Sequence, residues 1–280
     1  MRWQGRSGSS NVDDRRGIGG PVAVGGGILG VIALLVNYLL GGGGDPSSMQ
    51  LPGAGAPMSA EQKAVQDEYA QFVGVVLKET EDVWNDYFAK NFNEDYPEPT
   101  LVLFTGAVQS GCGSASSQTG PFYCPGDQKL YIDLSFYDDL KNRFGAPGDF
   151  AMAYVVAHEV GHHIQTIMGT SEKMARWRQQ LSEAEYNKRS VMMELQADFL
   201  AGMWARYTAN KNLLDPDDVN EALNAANAIG DDRLQREAQG RVSPESFTHG
   251  TSQQRMYWFK KGYETGDMRY GDTFSDPSLQ

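Results

Sequence analysis

The stretch "AYVVAHEVGHHIQTIMG", residues 153–169, carries His158, His162 and His163, three of the four histidines in the chain. Its apolar character predicts a buried helix. On a helix, positions i and i+4 share a face, so His158 and His162 can both reach one metal ion. Glu159, about 100° round the helix from His158, stands beside that ion, where it can take a proton from water. The H-E-x-x-H pattern suits zinc held by three protein ligands, with a fourth position left for water. Gly161 inside the helix costs about 1 kcal/mol relative to Ala, and close packing near the site is the reason offered for it. His163 points away from the metal-facing side and reads as structural.

A third ligand has to come from elsewhere. A histidine six residues past His162 would complete a longer motif, but Gln165 and Met168 stand where Gly and His would be required. His249 is far away in sequence. A carboxylate from a second helix is the natural candidate, and Glu172, Glu183, Glu185 and Glu194 all lie downstream. Only Glu194 has an apolar helical setting with an acid one turn on, in "ELQAD" with Asp198. Nearby Ala197, Ala201 and Gly202 are small, which lets two helices approach closely. Asp198 is then placed to accept the second ring N–H of a ligand histidine. A plain solvated acidic pair is disfavoured because like charges at i,i+4 repel.

The net charge of −12 argues against a nucleic-acid binder, which would carry a basic face. That charge is unevenly spread. Residues 1–20 hold Arg2, Arg6, Arg15 and Arg16 against Asp13 and Asp14, and "PVAVGGGILGVIALLVNYLL", 21–40, has no charge at all. As a helix these twenty residues would span about 30 Å, the thickness of a bilayer core. A cleaved signal peptide is the rival reading, but its apolar region is shorter and followed closely by a small-residue cleavage site. The expected organisation is a cytoplasmic basic N-terminus over 1–20, a transmembrane signal anchor over 21–40, a Gly/Pro/Ser-rich flexible linker over 41–58, and a domain over 59–280. Cys112 and Cys124 are too far apart for a zinc pair and read as a disulfide closing a Gly/Ser-rich loop, which fits an oxidising compartment. Two buried free thiols are the alternative.

Elsewhere, Ser59 and Gln62 make a capping box ahead of a long amphipathic helix reaching about residue 90. "TLVLFTGAV", 100–108, and "QKLYIDLSFY", 128–137, read as strands joined by the Cys-bearing loop. Beyond Phe144 the pattern is helical. Asp149 is expected to cap the motif helix and Ser171 the next, with a third helix over about 190–209. Asp215 with Pro216 starts a fourth, and "TSQQ" at 251–254 the last. Trp84, Trp177, Trp204 and Trp258 are expected in the core.

H-E-x-x-H followed by E-x-x-x-D resembles the gluzincin metallopeptidases, which also carry a later His-Pro-x-x-x-x-Arg. Here "THGTSQQR" has His249 and Arg255 at that separation, with Gly250 in the proline's place. Over nearly its whole length the chain more closely resembles the bacterial "putative neutral zinc metallopeptidase" family. The shared segments are "MRWQGR", "GPFYCP", "YIDLSFY", "HEVGHH", "ELQAD" and "THGTSQQR". The resemblance implies an α+β zincin-like domain, mostly helical with a small sheet, on the periplasmic side of a bacterial inner membrane. It implies one Zn2+ per chain on His158, His162 and Glu194, with Glu159 as general base and a peptide or protein as substrate. Asp198 and Arg255 would support the ligands. His249 is the choice for oxyanion donor, with Tyr257 and Tyr131 as fallbacks. Substrate would add as a strand along "QKLYIDLSFY" or "TGPFYCP". The alternative is a catalytically silent domain of the same fold, kept for binding or regulation and tethered to the membrane. Intact Glu159 favours the enzyme, because a binder has no need of a proton-transfer residue.

Overall fold

Ser59 opens the first helix as the pattern predicts: its hydroxyl accepts from the Gln62 amide, and its own amide donates to the Gln62 side chain. The computed structural model describes residues 1–16 and 59–280, so the segments read as anchor and linker, 21–40 and 41–58, lie outside the described residues. Among the described residues no helix is long and apolar enough to cross a membrane. The result is a mostly helical α+β fold with a small mixed sheet.

The strands are β1 (Val12–Asp14), β2 (Thr100–Phe104), β3 (Ala107–Ser110), β4 (Gly113–Ser116), β5 (Phe122–Cys124) and β6 (Lys129–Asp133). The longer helices are α1 (Ala60–Asn91), α2 (Asp149–Ile167), α3 (Thr170–Gln180), α4 (Glu183–Asn210), α5 (Asp218–Ala228), α6 (Asp231–Gln239) and α7 (Ser252–Thr265). The main sheet has the order β1-β2-β6-β5; β1, β2 and β6 run parallel and β5 runs antiparallel to β6. β3 and β4 form a separate hairpin. Thus the two strands read from sequence pair with each other, and the Cys-bearing connection between them holds three further short strands.

Cys112 and Cys124 are bonded, tying the β3–β4 hairpin to the end of β5. Closing a loop of 12 residues stabilises by about 3 kcal/mol in the chain-entropy model. Reduction should therefore lower the urea midpoint by that equivalent, and a Cys112→Ser/Cys124→Ser chain should match the reduced protein. An unchanged midpoint after full reduction would contradict this.

Small residues set the helix spacing. A Cβ on Gly202 of α4 would collide with the Phe259 carbonyl of α7, and one on Gly262 of α7 would collide with the Phe199 carbonyl of α4. This reciprocal pair lets the two backbones touch. Between α2 and α4, a Cβ on Gly161 would lie 3.1 Å from the Ala197 backbone, tighter than ordinary contact. The core formed around α2 contains Trp84, Trp204 and Trp258, all nearly fully buried. Trp177 is instead half-buried on α3, beside Phe274 and under the Arg189 guanidinium. Its helix lies at the rim, where an amphipathic ring covers surface rather than filling the interior.

Helix starts differ from the sequence expectation in detail. Asp149 and Ser171 sit inside the first turns of α2 and α3, whose caps are Gly148 and Gly169. α4 begins earlier than expected, at a Ser182–Glu185 capping box. α5 begins at Asp218 after Asp217, not at Asp215–Pro216.

The largest difference is at the N-terminus. The sequence suggests a basic tail separate from the domain, but residues 1–16 are built into it. β1 adds a parallel strand to β2, with Val12, Asp13 and Asp14 opposite Leu101, Val102 and Leu103. Trp3 is buried, edge-on to Phe72 at 5.5 Å. Arg6 donates twice to Glu79, at 2.9 and 2.6 Å, while Ser9 and Asn11 donate to Glu81 at 2.5 and 2.9 Å. Both glutamates are only 2% exposed. A buried carboxylate that loses its partners costs several kcal/mol, so the arginines and amides of this segment compensate charges the domain has already buried. The arginines that looked like a topology signal have a structural job.

Candidate metal centre

α2 is buried along nearly its whole length, so the residues it presents at His158, Glu159 and His162 are held by core packing on the other faces. Across from them α4 presents Glu194, brought close because Gly161 and Ala197 let the helices meet. His158 Nε2 lies 3.1 Å from Glu194 Oε2, and His162 Nε2 lies 3.5 Å from the same oxygen. One ligand atom from each of the three lies within 4.8 Å of the others. Donors about 2.0–2.1 Å from a tetrahedral zinc are separated by about 3.3 Å, and the two distances to Glu194 Oε2 lie either side of that value. The donor set, two imidazoles and a carboxylate, suits zinc, and the residues fit the ion.

The electrostatics point the same way. Burial alone would lower the His158 pKa, but the Asp198 charge and hydrogen bond, with Glu194 behind them, raise it to about 10. For Glu194, burial works against ionisation, yet His162 and His158 hold it well below the usual carboxylate range. A cluster that pulls a proton so firmly onto histidine is one whose potential calls for a cation. A zinc ion would take that proton's place, leaving both imidazoles neutral.

Supporting groups fix the ligands. Asp198, fully buried on α4, accepts from His158 Nδ1 at 2.8 Å, which leaves Nε2 free to ligate. Arg255 from α7 donates to both Asp198 oxygens, at 2.8 and 2.9 Å, and Tyr154 donates to one at 2.5 Å. His162 is oriented through Nδ1, 2.8 Å from Gln165 Oε1, and the Gln165 amide is anchored on the Met193 carbonyl at 2.7 Å. His163 faces elsewhere, between the Pro97 carbonyl at 2.6 Å and the Tyr123 hydroxyl at 3.1 Å, and burial lowers its pKa.

His249 reaches the same cavity from the loop before α7, despite its distance in sequence. Its Nδ1 lies 3.2 Å from Asp231 Oδ1. The other Asp231 oxygen accepts the backbone amides of Thr248, His249 and Gly250, at 2.7, 2.7 and 3.1 Å. Gly250 therefore differs from proline for two physical reasons: its φ of +92° is closed to proline, and its N–H is in use. Neither fallback donor is here. Tyr257 is 56% exposed, and Tyr131 is buried in the sheet with its hydroxyl on Asp127.

Tyr154, Gln165 and Asp231 were missed in the sequence. Tyr154 precedes His158 by one turn and Gln165 follows His162 by three residues, so helical spacing could have found them. Asp231, in "GDD" at the start of α6, carries no such signal.

The Asp231–His249 pair has a defined pH window. Burial disfavours the charge on both; the partner's charge and hydrogen bond outweigh it, lowering the Asp231 pKa and raising that of His249. The lowered carboxylate contributes stability above about pH 4 and loses it as pH falls. The raised imidazole contributes fully below about pH 6.5 and loses it as pH rises through the folded value. His249→Gln should therefore lower Tm most between about pH 4.5 and 6.5, with a gap that narrows on the alkaline side. A gap constant from pH 5 to 9 would contradict this.

A cavity of about 370 Å³ opens over these groups. Its floor holds His158, Glu159, His162, Glu194 and His249; Gly120, Pro121 and Tyr123 at the β5 end, with Phe136, Phe144, Val155, Ile229 and Leu234, give it largely apolar walls. Such a chamber, with a three-donor cluster and a further carboxylate beside it, is a candidate metal site.

Residues 1–274 match the family described as "Putative neutral zinc metallopeptidase", and the chain belongs to that family. It is 48% identical to the Escherichia coli (strain K12) protein YpfJ, over 98% of this chain and 99% of that one. It is 44% identical to the Mycobacterium tuberculosis (strain H37Rv) protein Rv2575, over 66% of this chain and 65% of that one. Both relatives are uncharacterized proteins. No solved structure matches it.

Proposed function

We propose that this chain is a zinc-dependent peptidase of zincin type, cleaving peptide bonds with Glu159 as general base. The observation that carries the reading is the three-donor cluster, its atoms within 4.8 Å of one another, with Glu159 lining the same cavity. One ion per chain would be held by His158, His162 and Glu194. When bound, zinc supplies Lewis acidity, which acidifies water and polarises a carbonyl. Glu159 takes the proton from the attacking water and delivers it to the departing amine nitrogen. Asp198 and Arg255 keep His158 turned toward the cluster throughout. His249 holds Asp231 through Nδ1; as imidazolium it still has an Nε2–H to donate to a developing oxyanion.

β5 is the last strand of the sheet and its approach, Gly120 and Pro121, lines the cavity. A peptide laid antiparallel or parallel along it would gain backbone hydrogen bonds and bring its carbonyl over the cluster. The apolar walls favour large apolar side chains beside the scissile bond. The disulfide supports work in an oxidising compartment, outside the cytoplasmic membrane, with residues 21–40 as the membrane attachment.

Turnover of an unfolded protein substrate by the purified full chain tests the proposal. Cleavage should stop with a chelator, return with added zinc, and favour bonds flanked by bulky apolar residues. Cleavage indifferent to chelation would refute it.

A further inference from the structure

Most charged groups lining the cavity are matched within the protein. Glu194 faces His158 and His162, Asp231 faces His249, Arg255 holds Asp198, and Glu237 is paired with Arg233 at 2.8 Å. Glu159 serves the water of the proposed reaction. Arg143 lines the same cavity, and among the described residues it has no ion pair. We propose that Arg143 is a carboxylate-binding residue, and that the peptide accepted here carries a carboxylate beside its apolar residues, at its C-terminus or on an acidic side chain. The proposal rests on the peptidase reading for the choice of a peptide, and on Arg143 for the choice of an anion.

Local structure holds the guanidinium in place. Phe144 donates its amide to the Asp139 carbonyl, five residues back, at 2.9 Å, and Ala146 donates to the Leu140 carbonyl at 2.8 Å. This widened turn, of a kind frequent at functional sites, ends at Arg143 and is anchored by the buried Leu140. The Arg143 Cζ lies 5.0 Å from the centre of the Phe144 ring, and Phe144 is part of the apolar wall. A ring face attracts the cation without satisfying its N–H donors, so the planar fork stays available. Asp139, one turn back, feels this charge from beyond ion-pair reach. On α6, Glu237 is occupied by Arg233, which also donates to the Phe144 carbonyl at 3.5 Å, so that carboxylate does not compete for Arg143.

Charge and apolar surface together select the ligand. An uncharged peptide filling the cavity would displace water from Arg143 and leave its donors without acceptors, which disfavours that peptide. A carboxylate restores those hydrogen bonds in bidentate form, while Phe136 and Phe144 receive apolar side chains. A hydrogen bond to a charged group contributes about 10–100-fold in affinity. Zinc would attract a carboxylate as well, so the share that belongs to Arg143 is the share lost when Arg143 is replaced.

Calorimetric peptide binding to the full chain carrying Glu159→Gln, which keeps the peptides intact, tests this with and without zinc. Acetyl-Phe-Leu-Phe is compared as free acid and as C-terminal amide, and acetyl-Phe-Leu-Glu amide is compared with its Gln counterpart. At least one carboxylate peptide should bind about 10-fold or more tightly than its uncharged partner. Arg143→Gln should erase that preference with Tm and zinc content unchanged, and Arg143→Lys should retain part of it. A preference in the first pair identifies the chain terminus as the group recognised, and one in the second pair identifies an acidic side chain. Equal binding within both pairs, no binding of any of the four peptides, or a preference that survives Arg143→Gln would overturn the proposal. The peptidase reading fails separately, if the parent chain shows this preference and cleaves no peptide bond.

Discussion

Glu159→Gln is expected to abolish measurable peptide hydrolysis, a loss of about 10²–10⁴-fold, the range general-base catalysis supplies. The amide is nearly the same size and its position on α2 is fixed by a buried helix, so fold and zinc content should be unchanged. Rate and metal content must be measured on the same preparation. A variant that keeps zinc and keeps its rate would remove Glu159 from the mechanism. A variant that loses zinc would place it among the ligands, which its offset from the His158–His162 face argues against.

Asp198→Ala should produce the second large effect, this time in stability. Asp198 is fully buried and ionised, with Arg255 holding its pKa at about 2 against the cost of burial. Deleting it leaves the Arg255 guanidinium buried with the Tyr154 hydroxyl and a single carbonyl. An unpaired buried charge of this kind typically costs about 3–5 kcal/mol. The same deletion frees the His158 ring, and lost support of a ligand histidine lowers metal affinity about 10–100-fold. Denaturant unfolding and zinc titration read the two effects separately. Asp198→Asn keeps volume and one acceptor, so it should recover part of the stability. An Asp198→Ala protein as stable as the parent would show that Arg255 finds another partner.

Much of the site was legible because helices write their contacts in a short code. His158, Glu159 and His162 share one helix, and Glu194 and Asp198 one turn of another, so spacing alone placed each group on a face. The meeting of those faces was signalled by Gly161 and Ala197, whose only virtue is being small. Capping boxes at Ser59 and Thr251 marked two helix starts for the same reason, a hydrogen-bond pattern confined to four residues.

Long-range pairing left no such trace. Asp231 meets His249 through a loop, and β1 joins β2 with Val12 opposite Leu101, 89 residues further along the chain. Nothing local in "NVDD" says strand, because a three-residue strand is made by its neighbour. The packing of the basic N-terminus on the domain was hidden for a related reason. Arginines before an apolar run look like a topology signal, whereas Arg6 and Arg16 are partners for Glu79 and Asp67, visible only once α1 is in place.

Zinc stoichiometry tests the account most directly. It should be measured on the full chain, since residues 59–280 alone would lack β1 and the partners of Glu79 and Glu81. The parent and Glu159→Gln should each hold one zinc per chain, and Glu194→Ala should hold almost none. No zinc in the parent after resupply, or full zinc in Glu194→Ala, would contradict a centre built from His158, His162 and Glu194.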